Sequence, residues 1–177
     1  MFFRKKRTRQ VNATVQYLRD EEVDPELDVK IRKLLSGCFP KEKKFRKQRF
    51  NNEMPQNRWL VYDEGKLIAH LASHEKFFIY EDHRFSFCGL AELCVREEFR
   101  GQRIADTLFA YAEKFHSDMD YSIFLGSREG YRRYGYVNVG NINFPDEHNY
   151  SCPNARVKCL VQNSWPDGTV VIPGKKF

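Results

Sequence analysis

The sequence predicts an α/β protein of the α+β kind, in which helices flank a mixed, mostly antiparallel central sheet. Apolar residues recur at helical spacing in only a few stretches, whereas many other stretches are short, β-branched or aromatic and bounded by turn residues. Several of these predicted strands follow one another through short turns, which favours antiparallel neighbours. A chain of 177 residues is long enough for one domain with a substantial core.

The first half of the chain predicts a strand, helices and a hairpin. Residues 13–19 are β-branched and aromatic, and predict a strand. DPELDVKIRKLLSG, residues 24–37, begins with an acidic turn, carries periodic leucine and isoleucine and ends on a glycine, so it predicts a helix. Residues 41–52 predict a second helix. Strands at residues 58–62 and 67–80 flank DEGK, a hairpin signal.

The second half predicts a third antiparallel strand followed by an amphipathic helix. FSFCGLAELCV, residues 85–95, is the strand, and residues 100–116 are the helix, with Ile104, Leu108 and Ala112 on one face. A strand, a short helical turn and two strands follow: YSIFLG at 121–126, SREGYRR at 127–133, YVNVG at 136–140 and ARVKCLVQ at 155–162. We divide the chain into a basic N-terminal tail, residues 1–11, and a single domain, residues 12–177.

The charge of the chain is positive, with 30 Lys and Arg against 24 Asp and Glu and a net charge of +6. The excess is concentrated at residues 4–9 and 41–49, which indicates either a solvated basic surface or contact with a polyanion. Because Phe45 and Phe50 accompany the second cluster, a nucleic-acid-binding module is the non-enzymatic alternative.

Cysteine usage and hydropathy indicate a cytosolic protein without a membrane partner. The five cysteines are scattered and form no Cys-x-x-Cys pair, which speaks against a disulfide framework or a zinc site. No stretch approaches the roughly 20 apolar residues of a membrane span.

The stretch VREEFRGQRIADTLFAYAEKF, residues 95–115, predicts an anion site. It reads as the end of a buried strand, an arginine-glycine pair and a helix, and the first N–H groups of a helix favour an anion such as phosphate. Gly101 lets the backbone approach a ligand, and Arg100 and Arg103 add charged donors.

This stretch resembles the acyl-CoA binding motif of the GNAT family of N-acetyltransferases. The family motif is Arg or Gln, two residues, Gly, one residue, then Gly or Ala, and here residues 100–105 read RGQRIA, with Arg103 in place of the central glycine. Aminoglycoside 2′-N-acetyltransferases look similar at this point. KLIAH at 66–70 resembles the same enzymes and the rhizobial nodulation N-acyltransferases, and SWPDGTVVIPG at 164–174 is similar to the latter.

The resemblance implies a GNAT-like fold with a V-shaped cleft between the strand ending at Val95 and the strand YSIFLG. Acetyl-CoA is the implied acyl donor, and its pantetheine arm would bond the backbone of the first strand. The implied donor-binding residues are Leu93, Cys94, Val95, Arg100, Gly101, Gln102, Arg103, Ile104 and Ala105.

Two residues are implied in catalysis. GYRRYGYVNVG resembles the family pattern that places Tyr131 as general acid for the departing thiolate, with Tyr134 as the alternative if the register differs by three residues. Glu92 would be the general base, acting directly or through water, unless strand alternation turns it away from the site.

Other chemistry-bearing residues have simpler interpretations. His70 and His74 share a strand face, but no third ligand accompanies them, so we expect no metal; His70 either lines the acceptor pocket or is a satisfied structural histidine. Cys94 has no activating partner in the sequence and is expected to be a buried strand cysteine.

The leading hypothesis is a single-domain N-acetyltransferase that passes an acetyl group from acetyl-CoA directly to a primary amine of a small molecule. One alternative uses a longer acyl group from acyl-CoA or from an acyl carrier protein, and another binds acyl-CoA without turnover.

The acceptor is not encoded in a motif. The acidic residues that could bind a polycationic aminoglycoside would be Asp146 and Glu147. The sequence leaves a homodimer open. The apolar C-terminal segment is expected to fold back over the acceptor side of the cleft.

Overall fold

The computed structural model describes residues 14–126, 129–147 and 150–177. The predicted basic tail, residues 1–11, lies outside the described residues, as do Ala13 of the first predicted strand and Ser127 and Arg128 of the predicted helical turn. Among the helices of the described residues, none has the length and apolar character to cross a membrane.

The central sheet has seven strands and confirms the predicted mixed, mostly antiparallel class. The strands of the described residues are β1 Thr14–Arg19, β2 Asn57–Asp63, β3 Lys66–Tyr80, β4 His83–Val95, β5 Tyr121–Leu125, β6 Val137–Val139, β7 Ile142–Phe144, β8 Tyr150–Ser151, β9 Ala155–Cys159 and β10 Val170–Val171. The order in the central sheet is β1-β2-β3-β4-β5-β9-β6, and within it only the β4 and β5 pair is parallel.

Helix α1, Pro25–Cys38, covers one face of the sheet. Asp24 caps it by accepting from the N–H of Leu27 at 2.8 Å, and proline at the first helical position suits that start. Ile31, Leu34 and Leu35 are fully buried in a cluster with apolar residues of β1 to β4. The helix continues through Gly37, so the predicted glycine stop is wrong by one residue.

The second helix predicted at residues 41–52 is wrong. Only a single 3₁₀ turn forms there, at Lys43–Arg46. Phe45 is the one apolar residue of that turn and the one that is buried, and Phe50 is five positions away on a different face. Without an apolar stripe a short, strongly basic segment has no packing energy to hold a helix.

Helix α2, Ile104–Phe115, packs on the opposite face of the sheet. Leu108, Phe109 and Ala112 are buried in a cluster with residues of β2, β3 and β4. The predicted start at residue 100 is wrong, because Gly101 has φ +80° and Arg103 has φ +61°, ψ +18°, both left-handed. A right-handed helix therefore begins only after Arg103.

The structure also has a second, three-stranded sheet of order β10-β7-β8. None of its three strands was predicted from the sequence. β10 pairs parallel to β7 through Val170 and Ile142, and Val170 and Ile172 are fully buried. The C-terminal segment thus folds back onto the domain. Phe177 packs on β4 so tightly that a Cβ at Gly89 would lie 2.7 Å from its ring.

The left-handed conformation of Arg103 yields a stability prediction. An L-residue in this conformation costs about 1–2 kcal/mol more than glycine, and both Arg103→Gly and Arg103→Ala remove the exposed ion pair with Asp106. Arg103→Gly should therefore be about 1 kcal/mol more stable than Arg103→Ala in urea unfolding. An alanine variant as stable as the glycine variant would contradict strain at this position.

Candidate active site

The sheet opens where β4 leaves β5. Their pairing runs from Phe87 to Leu90 on β4 and, within the described residues, continues no further, although β4 itself extends to Val95. At the same place the register with β3 shifts, because Ala72 pairs with Ala91 but His70 pairs with Cys94. One residue of β3 thus faces two of β4, which is a β-bulge, and bulges bend the strand that carries the extra residue.

Glu92 is the bulged residue and has φ +56°. His70 holds its backbone: the Nδ1 of His70 lies 3.0 Å from the carbonyl oxygen of Glu92, and Nη1 of Arg58 lies 2.7 Å from Nε2 of His70. Arginine has donors only, so Nε2 accepts, and Nδ1 carries the proton and donates to the carbonyl. Burial and, secondarily, the charge of Arg58 lower the pKa of His70 to about 3, so the ring is neutral.

His70 is therefore a satisfied structural histidine and not a lining residue of either cavity described below. His74 is also buried, and burial followed by the charge of Lys76 lowers its pKa to about 3. In the part of the chain that the structure describes, no three His, Cys, Asp or Glu side chains form a group that could hold a metal ion.

A buried charge network surrounds the Glu92 carboxylate. Arg58, fully buried, donates from Nε to Asp20 at 2.6 Å, and Arg49 donates to the other Asp20 oxygen at 2.5 Å. Glu92 Oε1 accepts from the N–H of Asn51 at 2.6 Å, while Oε2 lies 3.6 Å from Nη1 of Arg58. The bulge thus turns the side chain into the protein, where it is 4% exposed.

The pKa of Glu92 is raised from its ordinary 4.5 to about 7. Burial is the largest cause, and it outweighs the opposing effects of the Arg58 charge and the Asn51 hydrogen bond. A carboxyl group with this pKa gains and loses its proton near neutral pH.

Two adjoining cavities lie along the opened edge of β4. The first has a volume of about 300 Å³ and the second about 330 Å³. Phe39, Leu93 and Tyr131 line both of them. The cavities therefore meet at the bulge and at the tyrosine that the sequence marks as a general acid.

The first cavity brings together the residues predicted to bind the acyl donor. Of that set only Gln102 is absent from its lining, which contains Leu93, Cys94, Val95, Arg100, Gly101, Arg103, Ile104 and Ala105. Nothing lies within 4 Å of a Cβ built on Gly101, so open space adjoins the backbone there. Arg100 donates from Nε to the carbonyl of Val95 at 3.1 Å, and Arg103 donates to Asp106 at 2.8 Å.

The two candidate tyrosines occupy different places. Tyr131 is buried, with its ring centroid 4.4 Å from that of Phe124 and 5.6 Å from that of Phe109. Tyr134 lines only the first cavity; its hydroxyl donates to Asp106 and accepts from Arg133 at 2.5 Å. Burial, and next the bond to Asp106, raise the pKa of Tyr134. The hydroxyl of Tyr134 is thus committed to Asp106.

Cys38, at the end of α1, is a site residue that the sequence did not reveal. Its thiol lines the first cavity together with Cys94. A hydrogen bond from Cys94 lowers the pKa of Cys38 to about 7, whereas burial raises the pKa of Cys94 well above its usual value. Cys94 is therefore a poor nucleophile, as expected of a buried strand cysteine. No local pattern marks Cys38, because only the packing of α1 on β4 brings it there.

The basic segment at residues 41–49 forms a wall of the second cavity through Glu42 and Phe45. Phe45 is buried and unable to stack on a nucleobase, and Arg49 is engaged with Asp20 and Asp28. Phe45 therefore offers no stacking surface for the nucleic-acid alternative, whereas Phe50, the second aromatic residue of that hypothesis, is half-buried.

Comparisons with known proteins agree on one family. The model of the acetyltransferase (GNAT) family matches residues 28–136. No curated protein matches the sequence.

Solved structures show the same fold at low identity. A GNAT family N-acetyltransferase, YhbS, from Escherichia coli in complex with CoA has a TM-score of 0.67 at 18% identity, over 93% of this chain and 91% of that one. A GNAT family acetyltransferase from Brucella melitensis in complex with acetyl-CoA has a TM-score of 0.58 at 15% identity, over 89% and 94%. An acyl-CoA N-acyltransferase from Pseudomonas aeruginosa has a TM-score of 0.61 at 14% identity, over 83% and 99%. The finer resemblance to aminoglycoside and nodulation enzymes stays a prediction.

The raised pKa of Glu92 predicts a pH-dependent stability. The folded protein holds this proton more tightly than the unfolded chain, so its contribution is present below pH 4.5 and is lost as the pH rises through about 7. Between pH 5 and 8 the free energy of unfolding of the wild type should fall by about 2–3 kcal/mol relative to that of Glu92→Gln. Urea unfolding at both pH values measures this difference.

The control for this measurement is Glu97→Gln, which removes an exposed carboxylate outside the network. It should follow the wild type at both pH values. A wild type and Glu92→Gln pair whose stabilities change in parallel from pH 5 to 8 would contradict a protonated, buried Glu92.

Proposed function

The chain belongs to the acetyltransferase (GNAT) family, and from this premise we propose that it transfers an acetyl group from acetyl-CoA directly to the primary amine of a small molecule. The observation that carries the proposal is the meeting of two cavities at Tyr131 and the opened edge of β4. One cavity suits the donor and the other the acceptor, so the reacting atoms would lie where they join.

The residues of the first cavity fit the donor. Open space beside Gly101 leaves room for a pyrophosphate at the start of α2, where helix amides favour an anion. Arg100 and Arg103 are exposed there and supply charge-assisted donors. Two of the solved structures with the same fold, from Escherichia coli and Brucella melitensis, are complexes with CoA and with acetyl-CoA. When bound, acetyl-CoA supplies an activated acetyl thioester.

The edge of β4 at residues 93–95 has no strand partner on the β5 side in the described structure. Its backbone groups are therefore positioned to hydrogen-bond amides of an extended donor arm. A backbone N–H aimed at the thioester oxygen would stabilise the negative charge that develops there during attack.

Glu92 would remove the proton of the attacking amine. Its pKa of about 7 matches a general base that works near neutral pH. The side chain lines the second cavity but is only 4% exposed and is held by Asn51 and Arg58, so the proton would travel through a water molecule. This is the second of the two routes considered from the sequence.

Tyr131 would protonate the departing thiolate, since it lines both cavities and lies beside the junction. Tyr131→Phe keeps the ring and removes the proton, so it should stay folded, bind acetyl-CoA nearly as well and lose turnover by at least about tenfold; general-acid assistance is typically worth roughly 100 to 10,000-fold. The measurement is free thiol release with a reactive amine.

Tyr134→Phe is the matched control, because its hydroxyl is held by Asp106. It should retain most of the turnover. A fast Tyr131→Phe enzyme beside a slow Tyr134→Phe enzyme would assign the acid role to Tyr134. Binding of acetyl-CoA without thiol release for any amine would identify a non-catalytic binder.

The thiol of Cys38 reports on the donor cavity. Because its pKa is about 7 and it is partly exposed, iodoacetamide should modify it at pH 7.5, and saturating acetyl-CoA should slow that modification at least about tenfold. Cys159, also partly exposed but with a pKa raised by burial and outside both cavities, is the internal control. Mass spectrometry distinguishes the two sites.

Arg100→Ala should shift this protection to higher acetyl-CoA concentrations, as it removes one charged donor at the proposed pyrophosphate position. Equal alkylation of Cys38 with and without acetyl-CoA would place the donor elsewhere.

A further inference from the structure

The second cavity restricts the class of acceptor. We propose that the acceptor is a monoamine carried on an apolar body about the size of one aromatic ring, and not a polyamine or an aminoglycoside. This inference rests on the proposed transfer reaction and specifies its amine.

The walls of the second cavity are mostly apolar and include five aromatic rings. Its rings are Phe39, Phe45, Phe124, Tyr131 and Phe177, and leucines complete much of the remainder. Several of these rings are fixed in place: Phe45 packs against Phe39 with centroids 5.6 Å apart, and Phe177 packs against Gly89. A rigid apolar wall rewards an apolar body, because each group removed from water there adds favourable transfer free energy.

The size of the cavity admits one ring or a short aliphatic chain together with its amine. A volume of about 330 Å³ stands at the lower end of the 300 to 1,000 Å³ that is typical of small-molecule sites. A cavity of about 150 Å³ holds one benzene ring, so this space takes such a body with its amine, whereas part of an acceptor with several linked sugar rings would lie outside it.

The charges around the cavity do not suit a polycation. Its lining has two carboxylates, Glu42 and Glu92, and the Glu92 carboxylate is turned towards Asn51 and Arg58. Glu42 is exposed between Lys41 and Lys43. Glu42 is then the lining carboxylate left to pair with a second ammonium group, and a further ammonium group would lie against mostly apolar walls, which is unfavourable.

A single amine does not meet this difficulty. It must be neutral to attack the thioester, and an apolar environment lowers the pKa of an ammonium group. The cavity that disfavours a polycation therefore favours the reactive form of a monoamine.

The acidic residue that could have received an aminoglycoside lies elsewhere. Asp146 is exposed, accepts from the N–H of Gly174 at 2.8 Å and lines neither cavity. The side chain of Glu147 lies outside the description. Asp146 thus gives no anchoring point for a polycation at either cavity.

An amine panel tests the inference on the full chain with acetyl-CoA. The amines are 2-phenylethylamine, hexylamine, ethanolamine, spermidine and kanamycin, and the readout is free thiol release. We expect kcat/KM for 2-phenylethylamine and hexylamine to exceed that for ethanolamine, spermidine and kanamycin by about 10- to 100-fold, the worth of burying one large apolar side chain.

The failures of the inference and of the proposed function are distinguishable. If ethanolamine, spermidine or kanamycin is the best acceptor, the transfer reaction stands and the inference is overturned. If none of the five amines releases thiol while acetyl-CoA still protects Cys38, the transfer to amines fails, and the acceptor class fails with it.

Variants at Phe177 test the aromatic wall. Phe177→Ala and the milder Phe177→Leu should raise KM for 2-phenylethylamine, by about tenfold for alanine, and leave KM for acetyl-CoA and for ethanolamine unchanged. Val171→Ala, an exposed position of the same C-terminal segment, should behave as the wild type. If both Phe177 variants are folded, as judged by thermal melting, and use 2-phenylethylamine as the wild type does, the ring does not select the acceptor and the inference is overturned.

Discussion

The opened sheet depends on one buried hydrogen bond, in which the His70 imidazole donates to the backbone carbonyl of Glu92. Arg58 makes that bond possible, because its donation to Nε2 leaves the proton on Nδ1. The bond holds Glu92 in the left-handed conformation that bends β4 away from β5. Both cavities border on the freed edge through Leu93. His70 and Arg58, on the neighbouring strands β3 and β2, thus support the backbone conformation at the place where both cavities meet.

The bulge and the buried charge network both add unfavourable contributions to the free energy of folding. A non-glycine residue in the left-handed region costs about 1–2 kcal/mol, and buried ions are costly to desolvate. Asp20, Arg49 and Arg58 offset one another with short hydrogen bonds, but Glu92 is only partly compensated. The group with the least compensation is therefore the one whose pKa rises into the neutral range. A buried carboxyl group that destabilises the fold and has a shifted pKa is typical of a functional residue.

The sequence predicted features that depend on neighbouring residues and failed where distant residues decide. The succession of β1 to β6 and β9 along the chain, both long helices and the position of the RGQRIA turn follow from local periodicity and from glycine, whereas β7, β8 and β10 were not predicted. The helix predicted at residues 41–52 does not form, because this basic segment has no apolar face to bury. The bulge at Glu92 was not predictable, since Arg58 and His70 on two other strands impose it. Cys38 and Phe177 likewise reach their cavities only through packing.

The two cavities differ in how much of their lining comes from one continuous stretch of sequence. Most of the proposed donor cavity comes from one continuous segment, residues 93–106, so a motif reveals it. The proposed acceptor cavity comes from separate segments around residues 39–51, 90–93, 124–126, 131 and 177, none of which is informative alone. Substitutions in the segments of the proposed acceptor cavity should leave the RGQRIA turn undisturbed, except at residues that also contact the rest of the site. Asn51 is such a point, because its N–H bonds the Glu92 carboxylate. The acceptor wall is thus tied to the group proposed as the base, so the shape of that wall and the pKa of Glu92 are set together.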